Sequence, residues 1–248
     1  MTAGDVVVVT GAAIGIGAAT ARALIASDAT VVAVDRTKAD IDGVDARCVD
    51  LTDVEATARI VSDVVATYGR IDALVNNAGI ARHAAVTDID LDELAAMWAV
   101  NVRAVVQLTR DAMVAMAPPR GTGGRVVNVI STAGLAGQPG ESAYCATKFA
   151  VRGFTEAAAE EARLVGVHVS GIYPAGVRTA FWDDAVADRK AFIGDKTWLD
   201  AEDVATRIVA LLQLPRGVDV PTLVVRHHGD ADLADIAAKL ERVRRRRT

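Results

Sequence analysis

The segment VVVVTGAAIGIG, residues Val6–Gly17, decides the fold of this chain. Its apolar first half predicts a buried strand, and an Ala-rich helical stretch follows the glycines. Gly11, Gly15 and Gly17 permit a tight turn and let a pyrophosphate approach the backbone, where the helix N-terminus offers unpaired N–H groups and a positive dipole. The spacing is GxxxGxG rather than the commoner GxGxxG. An ordinary glycine-rich turn is the alternative, but the position between first strand and first helix favours a phosphate-binding loop.

Seven short apolar runs, the first at Val6–Thr10, alternate with five longer helical patterns. Runs without polar alternation suit strands buried on both faces, as in parallel sheets. The pattern predicts an α/β fold, a doubly wound parallel sheet of about seven strands flanked by helices. The other predicted strands are Thr30–Val34, Ala46–Val49, Ala73–Asn76, Arg125–Ile130, Val167–Ile172 and Thr222–Val225. The predicted helices are Ala18–Ser27, Val54–Tyr68, Leu91–Ala117, Ala143–Val165 and Ala201–Leu214.

No domain linker interrupts this alternation, and a length of 248 residues fits one domain over residues 1–248. The formal net charge of −5 argues against general affinity for nucleic acid or anionic membranes. The basic stretch Arg242–Arg247 is therefore interpreted as a solvated helix end. Cys48 and Cys145 share no CxxC or metal spacing, which favours free thiols in a reducing compartment.

The N-terminal residues lack the pattern of a signal peptide, and the run Val6–Thr10 is too short to span a membrane. A cytoplasmic protein is therefore expected. His227 and His228 have no partners at metal-binding spacing, so no catalytic metal is expected.

Acidic residues follow the second and third predicted strands. Asp35 ends the second strand, where a carboxylate accepts hydrogen bonds from adenosine ribose hydroxyls and repels a 2′-phosphate. NAD is therefore favoured over NADP, and the non-basic Ile14 in the glycine loop points the same way. Arg36 could partly neutralise Asp35, which leaves NADP as the less favoured cofactor. Asp50, beside Leu51, is a candidate adenine contact; a solvated turn carboxylate or a helix cap is the alternative for these acids.

Tyr144 and Lys148 lie four residues apart on a predicted helix, which places both side chains on one face. A phenol has an ordinary pKa of about 10, and a nearby ammonium group favours the phenolate. Tyr144 could then accept an alcohol proton as hydride leaves, or donate one in reduction. Ser131 ends the fifth predicted strand, where ligands bind in open α/β sheets, and its hydroxyl could polarise a substrate oxygen. Surface Tyr and Lys with a capping Ser is the alternative.

These motifs together resemble the short-chain dehydrogenase/reductase family over nearly the whole chain. The matching residues are TGAAIGIG at Thr10–Gly17, NNAG at Asn76–Gly79, Asn101, Ser131, and YCATK at Tyr144–Lys148. The resemblance implies a Rossmann-like fold and hydride transfer between a nicotinamide cofactor and a hydroxyl or carbonyl carbon. It implies Ser131, Tyr144 and Lys148 as a catalytic triad, with Asn101 as a fourth member that holds a water near Lys148.

The resemblance also implies where the cofactor lies. After the sixth strand, Pro174, Val177 and Thr179 match the segment that contacts the nicotinamide amide, although Ala175 stands where relatives usually have Gly. A homotetramer or homodimer is implied as well, although the end of this chain departs from the usual glycine-rich tail. The other implied contacts are Gly11, Gly15, Ile16, Gly17, Asp35, Arg36, Asp50, Leu51, Asn77, Ala78, Gly79, Tyr144 and Lys148.

The stretch Ala180–Leu199 lacks a clear period and follows the nicotinamide segment, where relatives carry a mobile substrate lid. It holds four of the chain's ten aromatic residues, which are Phe181, Trp182, Phe192 and Trp198. A lid with such residues would exclude water and contact an apolar substrate. Anchoring of two short helices to the core is the alternative. His83 is a further candidate for a polar substrate contact, against the alternative of a solvent-exposed loop histidine.

The preferred hypothesis is an NAD-dependent enzyme that acts on an apolar secondary alcohol or ketone, a small-molecule substrate, with Tyr144 as general acid/base. An NADP-dependent ketone or oxoacyl reductase is the closest alternative. A nucleotide-sensing regulator without catalysis is a third possibility, but mere binding requires no activated phenol.

Overall fold

The computed structural model describes residues 3–182 and 198–228, which form a parallel sheet with helices on both faces. Its seven strands are ordered β3-β2-β1-β4-β5-β6-β7, and each neighbouring pair is parallel. The predicted doubly wound fold is therefore confirmed. The strands are β1 Val6–Thr10, β2 Thr30–Asp35, β3 Asp45–Cys48, β4 Ala73–Asn76, β5 Gly124–Val129, β6 Val167–Pro174 and β7 Thr222–Val225. The α-helices are α1 Gly15–Ile25, α2 Val54–Tyr68, α3 Leu91–Trp98, α4 Val105–Met116, α5 Ser142–Arg163 and α6 Ala201–Leu212.

The central strand β1 is buried on both faces, as its run of valines predicts. Val6 and Val8 pack into a core that includes residues of α2, α4 and α5. Val7 and Val9 point the opposite way, into a second core that includes residues of α1 and α6. Because successive side chains of a strand face opposite sides, one uninterrupted apolar run supplies both layers.

The order in which successive strands are added to the sheet reverses between β1 and β4. The first crossovers lead outward through β2 to β3, and β4 then pairs with the other side of β1. Such a reversal leaves a crevice at the carboxyl ends of the two strands, where open α/β sheets bind ligands. The fold therefore predicts the position of the site before any side chain is considered.

The helix predicted over Leu91–Ala117 is interrupted by a π-helical segment, Ala99–Ala104. Within this segment the buried Asn101 accepts a hydrogen bond from the backbone N–H of Ile80 and donates one to the carbonyl of the same residue. A wide turn inserts one extra residue into a helix and is frequent at functional sites. Here the extra residue turns an amide side chain inward, toward the loop that follows β4.

The remaining boundaries differ from the predicted ones by three residues or fewer. The largest shift is at α1, which begins at Gly15 instead of Ala18, so that the end of the glycine loop forms the first helical turn. Of the residues that the structure describes, no helix has the length and apolar character needed to cross a membrane. The basic stretch Arg242–Arg247 lies outside the described residues.

A buried chain of polar side chains links the sheet to the helices that carry the site. Asn76 on β4 donates to Thr109 on α4 at 3.0 Å and to Asn128 on β5 at 2.9 Å. Asn128 in turn donates to the hydroxyl of Thr155 on α5 at 2.9 Å. Each of these side chains belongs to a residue no more than 2% exposed, so water cannot replace a lost partner.

Replacing Thr155 with Val should destabilise the protein, because the isosteric change leaves the amide of Asn128 without its acceptor. We expect a loss of about 1–3 kcal/mol in the free energy of unfolding, measured by urea denaturation. Thr206→Val is the matched control, since Thr206 is an exposed helical threonine whose hydroxyl bonds its own helix. Equal free energies of unfolding for the two variants would show that the buried side-chain hydrogen bonds around Asn128 contribute nothing to stability.

Candidate active site

One cavity of about 780 Å³ lies at the carboxyl edge of the sheet. Its wall comes from the segments that follow β1, β2, β3, β4, β5 and β6, together with α3, α5 and the π-helical segment. The structure thus brings together segments that are distant in sequence. Of the predicted residues, the wall contains Gly11, Gly15, Ile16, Asp35, Arg36, Asp50, Leu51, Asn77, Ala78, Gly79, Ser131, Tyr144, Lys148, Pro174, Val177, Thr179 and Phe181.

The glycine loop between β1 and α1 is shaped for close approach. Gly11 has a φ of 65°, and a Cβ on it would lie 2.8 Å from the Cα of Ala78. A Cβ on Gly17 would lie 2.0 Å from the carbonyl oxygen of Gly11. Gly17 therefore packs against the carbonyl of Gly11 and is not among the residues that line the cavity, and its contact with a cofactor stays a prediction.

The first turn of α1 fits an anionic group. Its N-cap residue, Ile14, gives no side-chain cap, and the turn contains no acidic residue. The first N–H groups of a helix carry partial positive charge and need an acceptor. Because Ile14, Gly15 and Ile16 also line the cavity, the residues present fit the pyrophosphate of a dinucleotide.

The segment after β4 holds the glycine loop in place. The hydroxyl of Thr10 accepts hydrogen bonds from the backbone N–H groups of Asn77 and Ala78, at 3.0 and 3.1 Å. The side-chain amide of Asn77 donates to the carbonyls of Thr10 and Gly11, at 3.0 and 3.1 Å. These four bonds join the two strand ends that flank the crevice.

Two carboxylates line the end of the cavity next to β2 and β3. Asp35 accepts hydrogen bonds from the backbone N–H groups of Ala13 and Thr37, at 3.0 and 3.1 Å. Asp50 accepts from the backbone N–H and the hydroxyl of Thr52, both at 2.8 Å, and the backbone bond is the main cause that lowers the pKa of Asp50. Since a carboxylate has about four acceptor positions, each retains capacity for hydroxyl or amino groups of a ligand.

Tyr144 and Lys148 lie on one face of α5 and are buried, 6% and 5% exposed. The Lys148 ammonium lies 5.6 Å from the centre of the Tyr144 ring and donates to the carbonyl of Val129 at 3.2 Å. Ser131 follows β5, and its hydroxyl accepts a hydrogen bond from the N–H of Ala133 at 3.1 Å. The alternative of surface side chains is therefore wrong for this pair.

The pKa of Tyr144 is shifted in the opposite direction to the sequence-based expectation. Burial is the largest influence and raises the pKa of Tyr144, a hydrogen bond from Ser131 lowers it, and the nearby carboxylate of Glu141 raises it. Burial also lowers the pKa of Lys148, to about 8. The pKa of Tyr144 is raised although the Lys148 ammonium lies 5.6 Å from the ring centre, so the cost of burying a phenolate outweighs the influences that favour it.

Asn101 lies behind the cavity wall. It is 1% exposed and also donates a hydrogen bond to the hydroxyl of Thr147 at 3.1 Å. A Cβ built on Gly79 would lie 3.4 Å from the Asn101 Oδ1 and 3.7 Å from the Lys148 Nζ. The two polar side chains thus approach each other around one glycine of the wall, and Asn101 fixes the loop that carries Gly79 through its bonds to Ile80.

His83 is neither solvent-exposed nor part of the described wall of the cavity. Its side chain is 7% exposed, and its Nε2 lies 3.4 Å from the Oε1 of Glu141, whose side chain is 5% exposed. Glu141 does line the cavity. Glu141 is not among the residues predicted from the sequence; the signal available was its position three residues before Tyr144.

Aromatic side chains lie at the Tyr144 end of the cavity. The ring of Phe181 lies 6.2 Å from that of Tyr144, and both Phe181 and Trp198 line the wall. Leu199 forms a parallel bridge to Val177, which holds the segment that follows β6. Trp182 lies in a 3₁₀ helix, Ala180–Trp182; its side chain, and Phe192 entirely, lie outside what the structure describes.

The described residues, 3–182 and 198–228, contain acidic, histidine and cysteine side chains that are dispersed over the fold. No group of three or more His, Cys, Asp or Glu side chains there is arranged to hold a metal ion.

Comparisons with known proteins agree with this geometry. The family model of short chain dehydrogenases matches residues 5–190. Oxidoreductase BOA17 of Botryotinia fuckeliana is 38% identical over 45% of this chain, and the match spans only 40% of that relative.

Two solved structures are similar over most of their length. A Beutenbergia cavernae protein, assigned as an NAD(P)-dependent gluconate 5-dehydrogenase with NADP bound at low occupancy, is 34% identical, with a TM-score of 0.78 over 90% of this chain and 96% of its own. A closed serine dehydrogenase complexed with NADP⁺ is 26% identical, with a TM-score of 0.82 over 89% of this chain and 94% of its own. Taken with the family model, these similarities show that the chain belongs to the short-chain dehydrogenase family of oxidoreductases.

Proposed function

We propose that this protein is an NAD-dependent enzyme that interconverts a secondary alcohol and a ketone, with Tyr144 as general acid/base. The observation that carries the proposal is the placement of Ser131, Tyr144 and Lys148 on the wall of the cavity that also contains the glycine loop. Binding alone would not require a buried phenol beside a buried ammonium group. This argues against the alternative of a regulator that only senses the nucleotide.

The residues of the site have different roles in proton transfer. When bound, a nicotinamide dinucleotide supplies the acceptor or donor of the hydride. In oxidation, Tyr144 takes the hydroxyl proton of the alcohol while the carbinol carbon loses its hydride; in reduction, it gives the proton to the new alkoxide oxygen. With substrate bound, the single hydroxyl hydrogen of Ser131 turns from Tyr144 to the substrate oxygen, and Lys148 holds positive charge near the phenolate. Asn101 supports this arrangement through the Ile80 backbone.

The adenosine end of the cavity favours NAD. The carboxylate of Asp35 is fixed by Ala13 and Thr37, so it cannot readily turn away from a 2′-phosphate. Asp50 and Leu51 are proposed to contact the adenine, and Pro174 to Thr179 the nicotinamide. Arg36 on the same wall, and NADP in both similar structures, favour the second candidate, an NADP-dependent ketone or oxoacyl reductase.

Residues 180–199 are proposed as a substrate lid within one domain that comprises residues 1–248. Support comes from its two described ends, since Phe181 and Trp198 both line the cavity and provide apolar contact next to Tyr144. Closure of such a segment would exclude water from the reacting atoms.

A homotetramer or homodimer is proposed on the basis of exposed apolar residues on three helices. Trp98 ends α3 and is 45% exposed, Val114 on α4 is 52% exposed, and Phe149 on α5 is 42% exposed. A second copy of the chain would remove such side chains from water. The two cysteines are unpaired, which supports a reducing, cytoplasmic location.

Tyr144→Phe should reduce turnover by about 10²–10⁴-fold or more, because it removes the proton donor and acceptor while the ring still packs. NADH binding, followed by fluorescence, should persist. Tyr68→Phe is the matched control, since the Tyr68 hydroxyl bonds Asp45 and lies away from the cavity wall. Undiminished turnover in the Tyr144 variant would refute the acid/base assignment.

The pH profile of kcat/KM for alcohol oxidation, which reports the free enzyme, should move to higher pH in Ser131→Ala. The Ser131 hydrogen bond lowers the pKa of Tyr144, so its loss raises that pKa, and a higher pH is needed to form the phenolate. The maximal rate should also fall about 10²–10³-fold, the usual effect of losing one donor to a reacting oxygen. An unchanged pH profile would exclude an effect of the Ser131 hydrogen bond on Tyr144 in the free enzyme.

Asp35→Ala should narrow the preference for NAD over NADP by about 10-fold or more, since a charge-assisted hydrogen bond to the ribose is lost and a repulsive charge is removed. The measurement is kcat/KM for both cofactors at a fixed alcohol concentration. Asp40→Ala removes the same charge from an exposed position nearby and should leave the ratio unchanged. A wild-type preference for NADP would contradict the interpretation of Asp35.

A further inference from the structure

A buried carboxylate at the Tyr144 end of the cavity has no part in the chemistry described so far. Glu141 is 4% exposed, lines the cavity and ends the loop that leads into α5. Its carbonyl accepts a hydrogen bond from the N–H of Cys145 at 2.7 Å, which makes Glu141 the starting point of the first helical turn. Glu141 and Tyr144 both line the cavity, so the two side chains share one wall.

The carboxylate is close enough to Tyr144 to act on it electrostatically. Burial of a negative charge beside a group that must itself become negative opposes proton acceptance by Tyr144. Because the buried Glu141 also lines the cavity, its carboxylate is available to a hydrogen-bond donor of the substrate.

The surroundings of Glu141 fix its position without closing it off from the cavity. His83 lies 3.4 Å away on the side of the loop that follows β4. The backbone already joins the same two loops, since the N–H of Ala84 donates to the carbonyl of Gly140 at 3.0 Å. The neighbouring cation on the wall, Arg82, pairs with Glu93 at 3.1 Å and belongs to the partly exposed rim.

We propose that Glu141, positioned by His83, determines specificity by accepting a hydrogen bond from a hydroxyl or ammonium group close to the reacting carbon of the substrate. This inference rests on the proposed function. One side of the substrate site, near Phe181 and Trp198, is apolar, and the side near Glu141 selects a hydrogen-bond donor. The preferred substrates are therefore vicinal diols or amino alcohols rather than the wholly apolar alcohols that the aromatic residues alone suggest.

The first test compares three substrates with the wild-type protein: 2-butanol, 2,3-butanediol and 3-amino-2-butanol. These differ only in the substituent next to the reacting carbon. We expect kcat/KM for the diol or the amino alcohol to exceed that for 2-butanol by about 10-fold or more, as for a hydrogen bond to a charged group. Equal values, or a preference for 2-butanol, would overturn the inference while leaving the proposed function intact. Absence of turnover with all three and both cofactors would contradict the proposed function and the inference with it.

Two Glu141 variants then distinguish the hydroxyl donor of the diol from the ammonium donor of the amino alcohol. The readout is the ratio of kcat/KM for each substituted substrate to that for 2-butanol, because a ratio cancels any effect of the carboxylate on Tyr144. Glu141→Gln retains a neutral acceptor, so the ratio for the diol should persist and the ratio for the ammonium substrate should fall about 10-fold. Glu141→Leu removes the acceptor and should abolish both preferences.

Glu93→Gln is the matched control, since Glu93 is a half-exposed carboxylate nearby that is not on the described wall. Its ratios should equal those of the wild type. Thermal melting and NADH fluorescence establish whether each variant is folded. If a Glu141 variant does not fold, the comparison of the three substrates with the wild-type protein still tests the inference. Unchanged ratios in folded Glu141→Gln and Glu141→Leu would overturn the assignment of Glu141.

Discussion

The parallel alignment of seven strands brings the segments after β1, β2, β3, β4, β5 and β6 to a single edge of the sheet. Antiparallel pairing would divide the same segments between two edges. At this edge the central crevice is held by hydrogen bonds between Thr10 and the Asn77–Ala78 backbone, together with the amide of Asn77. Because Gly11 has no side chain, the loop can lie against the backbone of Ala78, where a Cβ would approach to 2.8 Å. The site is thus a consequence of strand direction, strand order and the small residues Thr10, Gly11 and Ala78 at the two strand ends.

Burial of Tyr144 and Lys148 disfavours the charged forms that proton transfer requires. A phenol and an ammonium group removed from water both shift toward their neutral forms, so the pKa of Tyr144 rises while that of Lys148 falls to about 8. Ser131 acts against this shift by a hydrogen bond to Tyr144. The positive charge of an oxidised nicotinamide would act in the same direction, and only when oxidation is about to occur. Proton acceptance would then depend on the oxidation state of the cofactor rather than on Lys148 alone.

Local sequence was sufficient to predict most strands and helices and the sequence motifs, since apolar runs and glycine spacing are local properties. β1, β4, β7 and α2 have the predicted boundaries, and the tyrosine and lysine share a helix face as their spacing requires. The π-helical segment was not predictable, because it accompanies contacts between Asn101 and the backbone of Ile80, 21 residues earlier. The pairing of His83 with Glu141 was missed for the same reason. The raised pKa of Tyr144 was missed because spacing reports a nearby cation but not the depth of burial.

Direct titration of the Tyr144 hydroxyl tests the central claim most closely. Carbon-13 NMR of ζ-labelled tyrosine, with Tyr144 assigned from the Tyr144→Phe spectrum, would follow it in the protein alone, with NAD⁺ and with NADH. The predicted result is a pKa above the ordinary value of about 10 in the protein alone, lowered by NAD⁺ and much less by NADH. An ordinary pKa that is the same in all three states would contradict the assignment of Tyr144 as a buried acid/base controlled by the charge of the cofactor.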